Sequence, residues 1–430
     1  MNDDGVADLV LGAPMRDVSG SSDKGQVYVV FGELPTSTFD IDAARDITFN
    51  GIDGSDFSGR SIAVGDLNAD GINDLVIGAD GARVGSNFNA GEVYVLFGQH
   101  VNGTYQLSSS TTTNVTFTGT DANDLLGISV AIGDINGDGF RDLAIGASLA
   151  EPAGLGASTN YGDAYVVFGP LTPGTYAIAS AYDIVVSGTT LGDHVGYDLD
   201  FGDIDNDGNI DFVIGAPGEE PGATVTNQGA TAVIFGPMDA GTFTFTAAKD
   251  LVFYGIDSAD QSGGAVAVGD LNGDGIDDLA IGAWTGDPGG RRNAGETYVV
   301  YGPWTQPGSY YLSSSTTTSV TINGVNANDF SGQGVAVGDV NNDGIDDLVI
   351  GAPQASSYAG KAYVYFGPFG IGTVELSSGT DVRYDGYSGT NALFGRGVRV
   401  GDVDGDRLSD LLIGAPQRYI GGVALKDRPS

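Results

Sequence analysis

The chain has 430 residues and is rich in glycine and in acids, with 71 Gly, 56 Asp and Glu, only 17 Lys and Arg, and a formal net charge of −39. This charge repels nucleic-acid phosphates and anionic lipids, so it excludes those partners and makes cations the expected ligands. The absence of cysteine excludes disulfides and thiolate metal sites, and no apolar run approaches the roughly 18 residues that cross a bilayer.

One phrase recurs seven times along the chain, with 63 to 69 residues between successive leading aspartates. The copies read NDDGVADLVLGAP from Asn2, GDLNADGINDLVIGAD from Gly65, GDINGDGFRDLAIGAS from Gly133, GDIDNDGNIDFVIGAP from Gly202, GDLNGDGIDDLAIGAW from Gly269, GDVNNDGIDDLVIGAP from Gly338 and GDVDGDRLSDLLIGAP from Gly401. Self-similarity on this scale indicates one supersecondary unit used repeatedly. We therefore expect a single repetitive domain over residues 1–430.

Each repeat contains four strand-like segments in a fixed order. In the second repeat these are residues 59–66 (strand A), 74–79 (strand B), 91–98 (strand C) and 114–119 (strand D). The segments are short, rich in Val, Ile, Tyr and Phe, and bounded mostly by Gly or Asp. The pattern predicts an all-β, seven-bladed β-propeller of four-stranded antiparallel blades. A parallel β-helix would have a much shorter repeat, and separate β-sandwiches would need roughly 100 residues each.

An acidic loop lies between strands A and B of each repeat. Counted from its first aspartate, the loop has Asp or Asn at positions 1, 3, 5 and 9 and usually Gly at position 6. Calcium takes six to eight oxygen ligands, which such alternate carboxylates and the carbonyl of position 7 can supply, while glycine permits the sharp turn. An EF-hand would need Glu at position 12 and a following helix, but position 12 of the second loop is Ile77.

We predict up to seven calcium ions. The candidate ligands are Asn2, Asp4, Val6 and Asp8; Asp66, Asn68, Asp70, Ile72 and Asp74; Asp134, Asn136, Asp138, Phe140 and Asp142; Asp203, Asp205, Asp207, Asn209 and Asp211; Asp270, Asn272, Asp274, Ile276 and Asp278; Asp339, Asn341, Asp343, Ile345 and Asp347; and Asp402, Asp404, Asp406, Leu408 and Asp410. Asp, Asn and Gly also form ordinary turns, but seven acidic loops repel themselves without a cation. The first loop lacks position 1, and the seventh has Arg407 in place of the glycine.

The calcium sites also bear on localisation. Loops that lack a bidentate glutamate belong to the weak range of extracellular modules, about 10⁻⁴ to 10⁻³ M. Sites of this strength would be empty in cytosol, so we expect an extracellular or cell-surface protein.

The motifs around the loops resemble the FG-GAP repeat family, which includes the seven-bladed propeller in the head of integrin α subunits. They are the segments Phe57-Ser58-Gly59, Phe330-Ser331-Gly332 and Leu393-Phe394-Gly395 before strand A, and Gly12-Ala13-Pro14, Gly215-Ala216-Pro217, Gly351-Ala352-Pro353 and Gly414-Ala415-Pro416, which close strand B. The resemblance implies a seven-bladed propeller that holds calcium at loop positions 1, 3, 5, 7 and 9, on the face opposite the partner-binding loops.

The sequence offers little for catalysis. The chain has two histidines, His100 and His194, and no nucleophile elbow, P-loop or zinc motif, so we find no catalytic constellation. His194 stands where Phe57 stands in its own repeat, which favours a packing role. In the fourth repeat Asp198 and Asp200 lie on strand A, and Arg399 is the seventh-repeat equivalent of Asp200; we expect an internal ion pair or a polar site in the central channel.

The sequence therefore predicts a calcium-binding extracellular recognition or adhesion module that binds a protein or glycan through its loops. The alternative is a propeller enzyme, or the propeller portion of one, that acts on extracellular polysaccharide or phosphoester. Strand A is missing from the first repeat and strand D from the last, which ends near residues 421–425. Because these strands are consecutive in the repeat, we expect that a preceding segment supplied both and carried the export signal.

Overall fold

The computed structural model describes residues 2, 4–32, 40–108, 112–151, 160–222, 227–248, 250–387, 392–403 and 406–416. Within them nearly all of the regular secondary structure is β-strand, which confirms the predicted all-β class. The strands are β1 Leu9–Ala13, β2 Gln26–Val30, β3 Ile47–Asn50, β4 Ile62–Gly65, β5 Asp74–Ala79, β6 Glu92–Leu96, β7 Gly103–Gln106, β8 Val115–Thr118, β9 Leu126–Gly133, β10 Asp142–Ala147, β11 Asp163–Val167, β12 Gly174–Ala177, β13 Ile184–Ser187, β14 Leu199–Gly202, β15 Asp211–Ala216, β16 Ala230–Ile234, β17 Gly241–Thr244, β18 Leu251–Tyr254, β19 Ser262–Gly269, β20 Asp278–Ala283, β21 Glu296–Val300, β22 Gly308–Tyr311, β23 Val320–Asn323, β24 Gly334–Gly338, β25 Asp347–Ala352, β26 Lys361–Tyr365, β27 Gly372–Glu375, β28 Val382–Asp385, β29 Val398–Gly401 and β30 Asp410–Ile413.

Helices are few and short. They are α1 Ile41–Ala44, α2 Phe245–Ala248 and α3 Ala355–Tyr358, with 3₁₀ turns at Ile178–Ser180 and Pro288–Gly290. Among the described residues, none of the helices has the length and apolar content needed to cross a lipid bilayer.

The chain divides into two compact units. Unit 1 contains Met1–Leu34, Ala43–Phe201 and Gly236–Ala248, and unit 2 contains Pro35–Asp42, Gly202–Phe235 and Lys249–Ser430. Unit 1 holds the sheets β1-β2-β3-β7, β4-β5-β6-β8-β12 and β9-β10-β11-β13-β17. Unit 2 holds β15-β16-β18-β22, β19-β20-β21-β23-β27, β24-β25-β26-β28 and β29-β30, and the boundary between the units falls at the end of β14. The single domain over residues 1–430 stays a prediction.

The sheets have the strand order of propeller blades, but the predicted number of seven blades is wrong for the described residues. Six sheets contain four or five strands, whereas the seventh repeat is the two-stranded sheet β29-β30. The predicted strand at residues 421–425 lies outside the described residues.

The antiparallel order A-B-C-D is confirmed in β4-β5-β6-β8, but a fifth strand was missed. β12 pairs in parallel with β8, and β7, β17, β22 and β27 pair in the same way with β3, β13, β18 and β23. Each added strand comes from the linker between strands C and D of the following repeat. Alternate aromatic residues attach it to the sheet, as where Tyr105 stacks on Phe49 and Tyr310 on Phe253, with ring centroids 5.5 and 5.8 Å apart.

Two glycines of the repeat, one near the end of strand B and one before strand A, lie where the backbones of successive repeats come into contact. A methyl group added at Gly146, in strand B of the third sheet, would overlap the carbonyl oxygen of Gly196, which precedes β14. Gly196 has a φ of 81°, a conformation that other residues adopt only with strain. A glycine is therefore required on both sides of this contact, and Gly351 meets Gly395 in the same way in unit 2.

Candidate calcium-binding loops

In the second to seventh repeats the acidic loop lies between strands A and B, and in the first repeat it directly precedes strand B. In the second repeat the loop joins β4 to β5, and Gly65 pairs with Asp74 at the rung beside the loop. Position 9 is therefore also the first residue of strand B, as it is for Asp142, Asp211, Asp278, Asp347 and Asp410. The hairpin therefore holds both ends of the loop together.

The aspartate at position 9 is buried and fixes the loop to its own sheet. In fully buried Asp74, Oδ2 accepts the N–H of Leu67 at 2.9 Å and Oδ1 accepts the N–H of Gly98 at 2.8 Å. Asp278 accepts the equivalent N–H groups at 3.0 and 2.8 Å. Because Gly98 follows strand C, this one carboxylate joins the loop to two strands of its blade.

Burial changes the acidity of these groups. It raises the pKa of Asp74, Asp142 and Asp347 to about 6 and that of Asp278 to about 7, although the backbone N–H donors oppose the shift. The carboxylates at position 5 of each loop raise the pKa further by repulsion. A bound cation would reverse both effects, since it stabilises the ionised form.

Positions 1 and 5 shape the loop through their own hydrogen bonds. The carboxylate of Asp66 accepts the N–H of Asp70 at 3.2 Å and that of Gly71 at 2.9 Å. Asp70 in turn accepts the N–H of Ile72 at 2.9 Å. Gly71 has a φ of 84°, which lets the chain turn around the side chain of Asp66.

The fourth loop brings its carboxylates close enough to share a cation. Asp203, Asp205 and Asp211 each offer one oxygen, and the three oxygens lie within 4.8 Å of one another. Calcium binds oxygen at about 2.3–2.6 Å, so two ligands of one ion lie at most about 5 Å apart. This donor set therefore fits a calcium ion.

The sixth loop contains an oxygen that is buried without a donor. Oδ1 of Asn341, at position 3, has no hydrogen-bond partner within the part of the chain that the structure describes. Its Nδ2 donates to Oδ1 of Asp347 at 3.4 Å, so the amide lies beside the position 9 carboxylate. A buried acceptor without a donor is costly, and a cation at this point would satisfy it.

The first and last loops keep the shape of the others where they are described. In the first loop Asp4 donates its N–H to Asn2 Oδ1 at 3.2 Å, and Asp8 accepts the N–H of Gly32 at 3.2 Å. In the seventh loop Arg407 has a φ of 70° and donates its N–H to Asp402 at 2.9 Å. The turn therefore forms without glycine, at the cost of left-handed backbone at an arginine. The predicted ligand Asp404 lies outside the described residues.

The residues at position 7 share one contact. Each donates its N–H to the carboxylate at position 5, at 2.8 to 3.0 Å; they are Val6, Ile72, Phe140, Asn209, Ile276, Ile345 and Leu408. This contact is compatible with a carbonyl ligand but does not test it. Calcium binding by the loops, and the role of each ligand, stay predictions.

Sequence reasoning missed two carboxylates that link one loop to the next. Asp277 and Asp346 occupy position 8 of the fifth and sixth loops. Oδ2 of Asp277 accepts the N–H of Asp203 at 2.9 Å, and Oδ2 of Asp346 accepts the N–H of Asp270 at 3.0 Å. The sequence shows these residues as a double aspartate at positions 8 and 9. The residue that donates to the position 8 carboxylate lies in another repeat, so the sequence alone does not reveal the contact.

A second set of buried aspartates lies between strands D and A, at the other end of the sheets. Asp56 accepts the N–H groups of Ile52 and Asp53 at 3.2 and 2.6 Å. Burial raises the pKa of the equivalent Asp124 to about 6 and that of Asp260 to about 7. These residues close the turn that leads into strand A. In the sequence they can be recognised as an aspartate three residues before the glycine that begins strand A, as Asp56 precedes Gly59.

The histidines lie in packed surroundings. His100 meets the rings of Phe49 and Tyr105 edge-on, with centroids 5.3 and 5.6 Å away. His194 is half-buried, and burial lowers its pKa. Its φ of 57° matches the 54° of Phe57, the residue to which it corresponds in the repeat.

The polar residues on strand A of the fourth repeat make local contacts. Asp198 accepts the hydroxyl of Ser129 at 3.2 Å, and Asp200 accepts the N–H of Phe201 at 2.9 Å. Asp200 belongs to unit 1 and Arg399 to unit 2, so their ion pair stays a prediction.

Comparison with known proteins matches the FG-GAP repeat model to residues 1–30, 58–96, 126–167, 262–300, 331–365 and 394–425. The chain is 37% identical over 157 residues to phosphatidylinositol-glycan-specific phospholipase D of Bos taurus, a match that covers 36% of this chain and 18% of the relative. It is 32% identical over 162 residues to integrin alpha-5 of Xenopus laevis, covering 36% of this chain and 14% of the relative. It is 30% identical over 183 residues to integrin alpha-PS2 of Drosophila melanogaster, covering 41% and 12%. The matches thus span less than a fifth of each relative.

Proposed function

Because the chain belongs to the FG-GAP repeat family, we propose that it is a calcium-stabilised recognition module that binds an extracellular protein or glycan through its loops. The observation that carries the calcium part is the triad Asp203, Asp205 and Asp211, whose oxygens lie within 4.8 Å of one another. The calcium ions are structural in this proposal, since each loop joins strand A to strand B.

The partner binds at the other end of the sheets, through the loops between strands B and C and between strands D and A. Large apolar side chains are exposed on these loops: Phe88 and Leu191 in unit 1, with 60% and 67% exposure, and Tyr358 and Tyr387 in unit 2, with 49% and 68%. Exposed aromatic side chains favour contact with a partner, because their burial releases much apolar surface. The acidic loops and the recognition loops thus have separate tasks.

An extracellular location follows from the strength of the sites. Calcium loops without a bidentate glutamate bind at about 10⁻⁴ to 10⁻³ M, which matches extracellular and not cytosolic calcium. The similarity to integrin α chains supports the same location.

The alternative function is that of an enzyme, or the propeller portion of one, acting on extracellular polysaccharide or phosphoester. The phospholipase D relative favours the phosphoester form of this alternative, because its name states that it acts on phosphatidylinositol-glycan. The match covers 18% of that relative, so an activity that resides elsewhere in it would not extend to this chain.

One experiment separates the two functions. The chain is applied to an array of extracellular proteins, glycans and glycosylphosphatidylinositol-linked probes, in millimolar calcium and after removal of metal. Calcium-dependent retention without turnover is the expected result. Release of product from a spotted glycan or phosphoester would contradict the recognition function and support the enzymatic one.

A further inference from the structure

Two side chains in unit 2 connect the fourth, fifth and sixth acidic loops. Asp277 of the fifth loop accepts the N–H of Asp203, which is position 1 of the fourth loop, at 2.9 Å. Asp346 of the sixth loop accepts the N–H of Asp270, which is position 1 of the fifth loop, at 3.0 Å. The N–H of Asp346 also donates to the carbonyl oxygen of Asp270 at 3.0 Å, so the second link runs in both directions.

The approach between these loops is tight. A Cβ atom at Gly202 would lie 2.9 Å from Oδ2 of Asp277, and one at Gly269 would lie 2.5 Å from Oδ2 of Asp346. Both glycines directly precede position 1, so the carboxylate sits against backbone that has no side chain to exclude it.

A carboxylate at position 8 is confined to these two copies. The other copies of the phrase have Ala7, Asn73, Arg141, Ile210 and Ser409 at this position. The fourth, fifth and sixth loops are therefore linked in sequence by the same device, which the remaining loops do not possess.

We propose that Asp277 and Asp346 are positioning residues that couple cation binding in the fourth, fifth and sixth loops, an inference that rests on the proposed calcium sites. A cation in the fourth loop fixes Asp203, whose N–H then holds Asp277. Asp277 is adjacent to Asp278, the position 9 ligand of the fifth loop. The first cation therefore orders part of the next loop, and a second cation binds at a lower cost in conformational entropy. The second and third loops lack the position 8 carboxylate, so this contact does not couple them.

Trp304 provides a probe for the fourth loop. Its backbone N–H donates to the carbonyl oxygen of Ile204, which is position 2 of that loop, at 3.0 Å, and its indole N–H donates to the carbonyl oxygen of Tyr301 at 2.7 Å. The chain has two tryptophans, and the other, Trp284, follows strand B at the end of the sheet opposite the acidic loops. Terbium binds oxygen sites of the calcium type and emits when a nearby tryptophan is excited. The emission reports on the fourth loop together with the fifth, because Gly302, two residues before Trp304, donates its N–H to Asp278. The part of the emission that Asp207→Asn removes is assigned to the fourth loop.

The test measures the affinity of terbium at the fourth loop in variants of the fifth. Asp274→Asn removes the position 5 carboxylate of the fifth loop and leaves Asp277 and the fourth loop intact. We expect the apparent Kd of the fourth loop to rise about five-fold or more, the lower end of typical coupling between sites. The matched control Asp70→Asn, in the second loop, leaves this Kd unchanged. Equal affinity in the wild type and Asp274→Asn overturns the proposal.

Asp277 itself is tested in a double-mutant cycle. In an Asp277→Ala background, Asp274→Asn should no longer change the affinity of the fourth loop. Asp277→Asn keeps an oxygen acceptor for the N–H of Asp203 and should preserve the coupling, which separates loss of this hydrogen bond from loss of folding. A coupling that persists in Asp277→Ala refutes the assignment. If the wild type gives no tryptophan-sensitised emission, the calcium proposal itself fails, whereas emission without coupling refutes only this inference.

Discussion

The buried aspartates at position 9 predict that the metal-free protein loses stability as pH rises. The pKa of Asp74, Asp142 and Asp347 is about 6 in the folded chain and that of Asp278 is about 7, against 3.8 for an ordinary aspartate. A carboxyl group with a raised pKa in the folded state stabilises the fold at pH values below its unfolded pKa. That contribution is lost as pH increases through the folded pKa.

The size of the effect follows from the shift. Two pKa units correspond to about 3 kcal/mol of unfolding free energy for one aspartate, because each unit is worth about 1.4 kcal/mol. The loss is complete near pH 7 for the three groups with a pKa of about 6. Bound calcium favours the ionised form, so it should abolish the loss and make the protein more stable near pH 7.5 than near pH 5.

The assay is urea unfolding near pH 5 and pH 7.5, with protein freed of metal by dialysis and again in millimolar calcium. Asp70→Asn removes one ligand and part of the repulsion on Asp74, so it should weaken both the calcium stabilisation and the pH dependence of the metal-free protein. Asp239→Asn is the matched control, because it removes one exposed negative charge outside the loops. A metal-free protein that becomes more stable between pH 5 and pH 7.5 would refute the reasoning.

Three further predictions concern stability. Removal of calcium should lower the melting temperature by many degrees, since a site with a Kd of about 10⁻⁴ M contributes about 2.7 kcal/mol at 10 mM calcium; an unchanged melting temperature would mean that the loops are ordinary turns. Gly146→Ala should reduce the unfolding free energy by about 3 kcal/mol because its methyl group overlaps the Gly196 carbonyl, whereas Gly222→Ala, which meets no neighbour within 4 Å, should not. Arg407→Gly should stabilise the protein by about 1 kcal/mol in the same thermal assay, because it relieves a φ of 70° at a non-glycine residue; a lower melting temperature would contradict this.

The features that sequence predicted well are those that repeat within one block. The order of strands A to D and the place of the acidic loop depend on residues that lie close together in the chain, as in β4 to β5. The fifth strand escaped prediction because β12 is only four residues long and pairs with β8 of the preceding repeat. Asp277 escaped for the same reason, since its partner Asp203 belongs to another repeat. Contacts between repeats leave no local periodicity, so a single sequence does not reveal them.

The acidic loops make the stability of the fold depend on the cations around it. Burying a carboxylate such as Asp74 costs free energy, and its two backbone hydrogen bonds do not restore an ordinary pKa. An apolar residue at this position would avoid the cost but would leave the N–H groups of Leu67 and Gly98 without acceptors. A cation resolves this conflict, because it stabilises the charge while the hydrogen bonds remain. In the proposed function the same aspartate would therefore make a blade more stable where calcium is abundant and less stable where it is scarce, which is the behaviour expected of a module that works outside the cell.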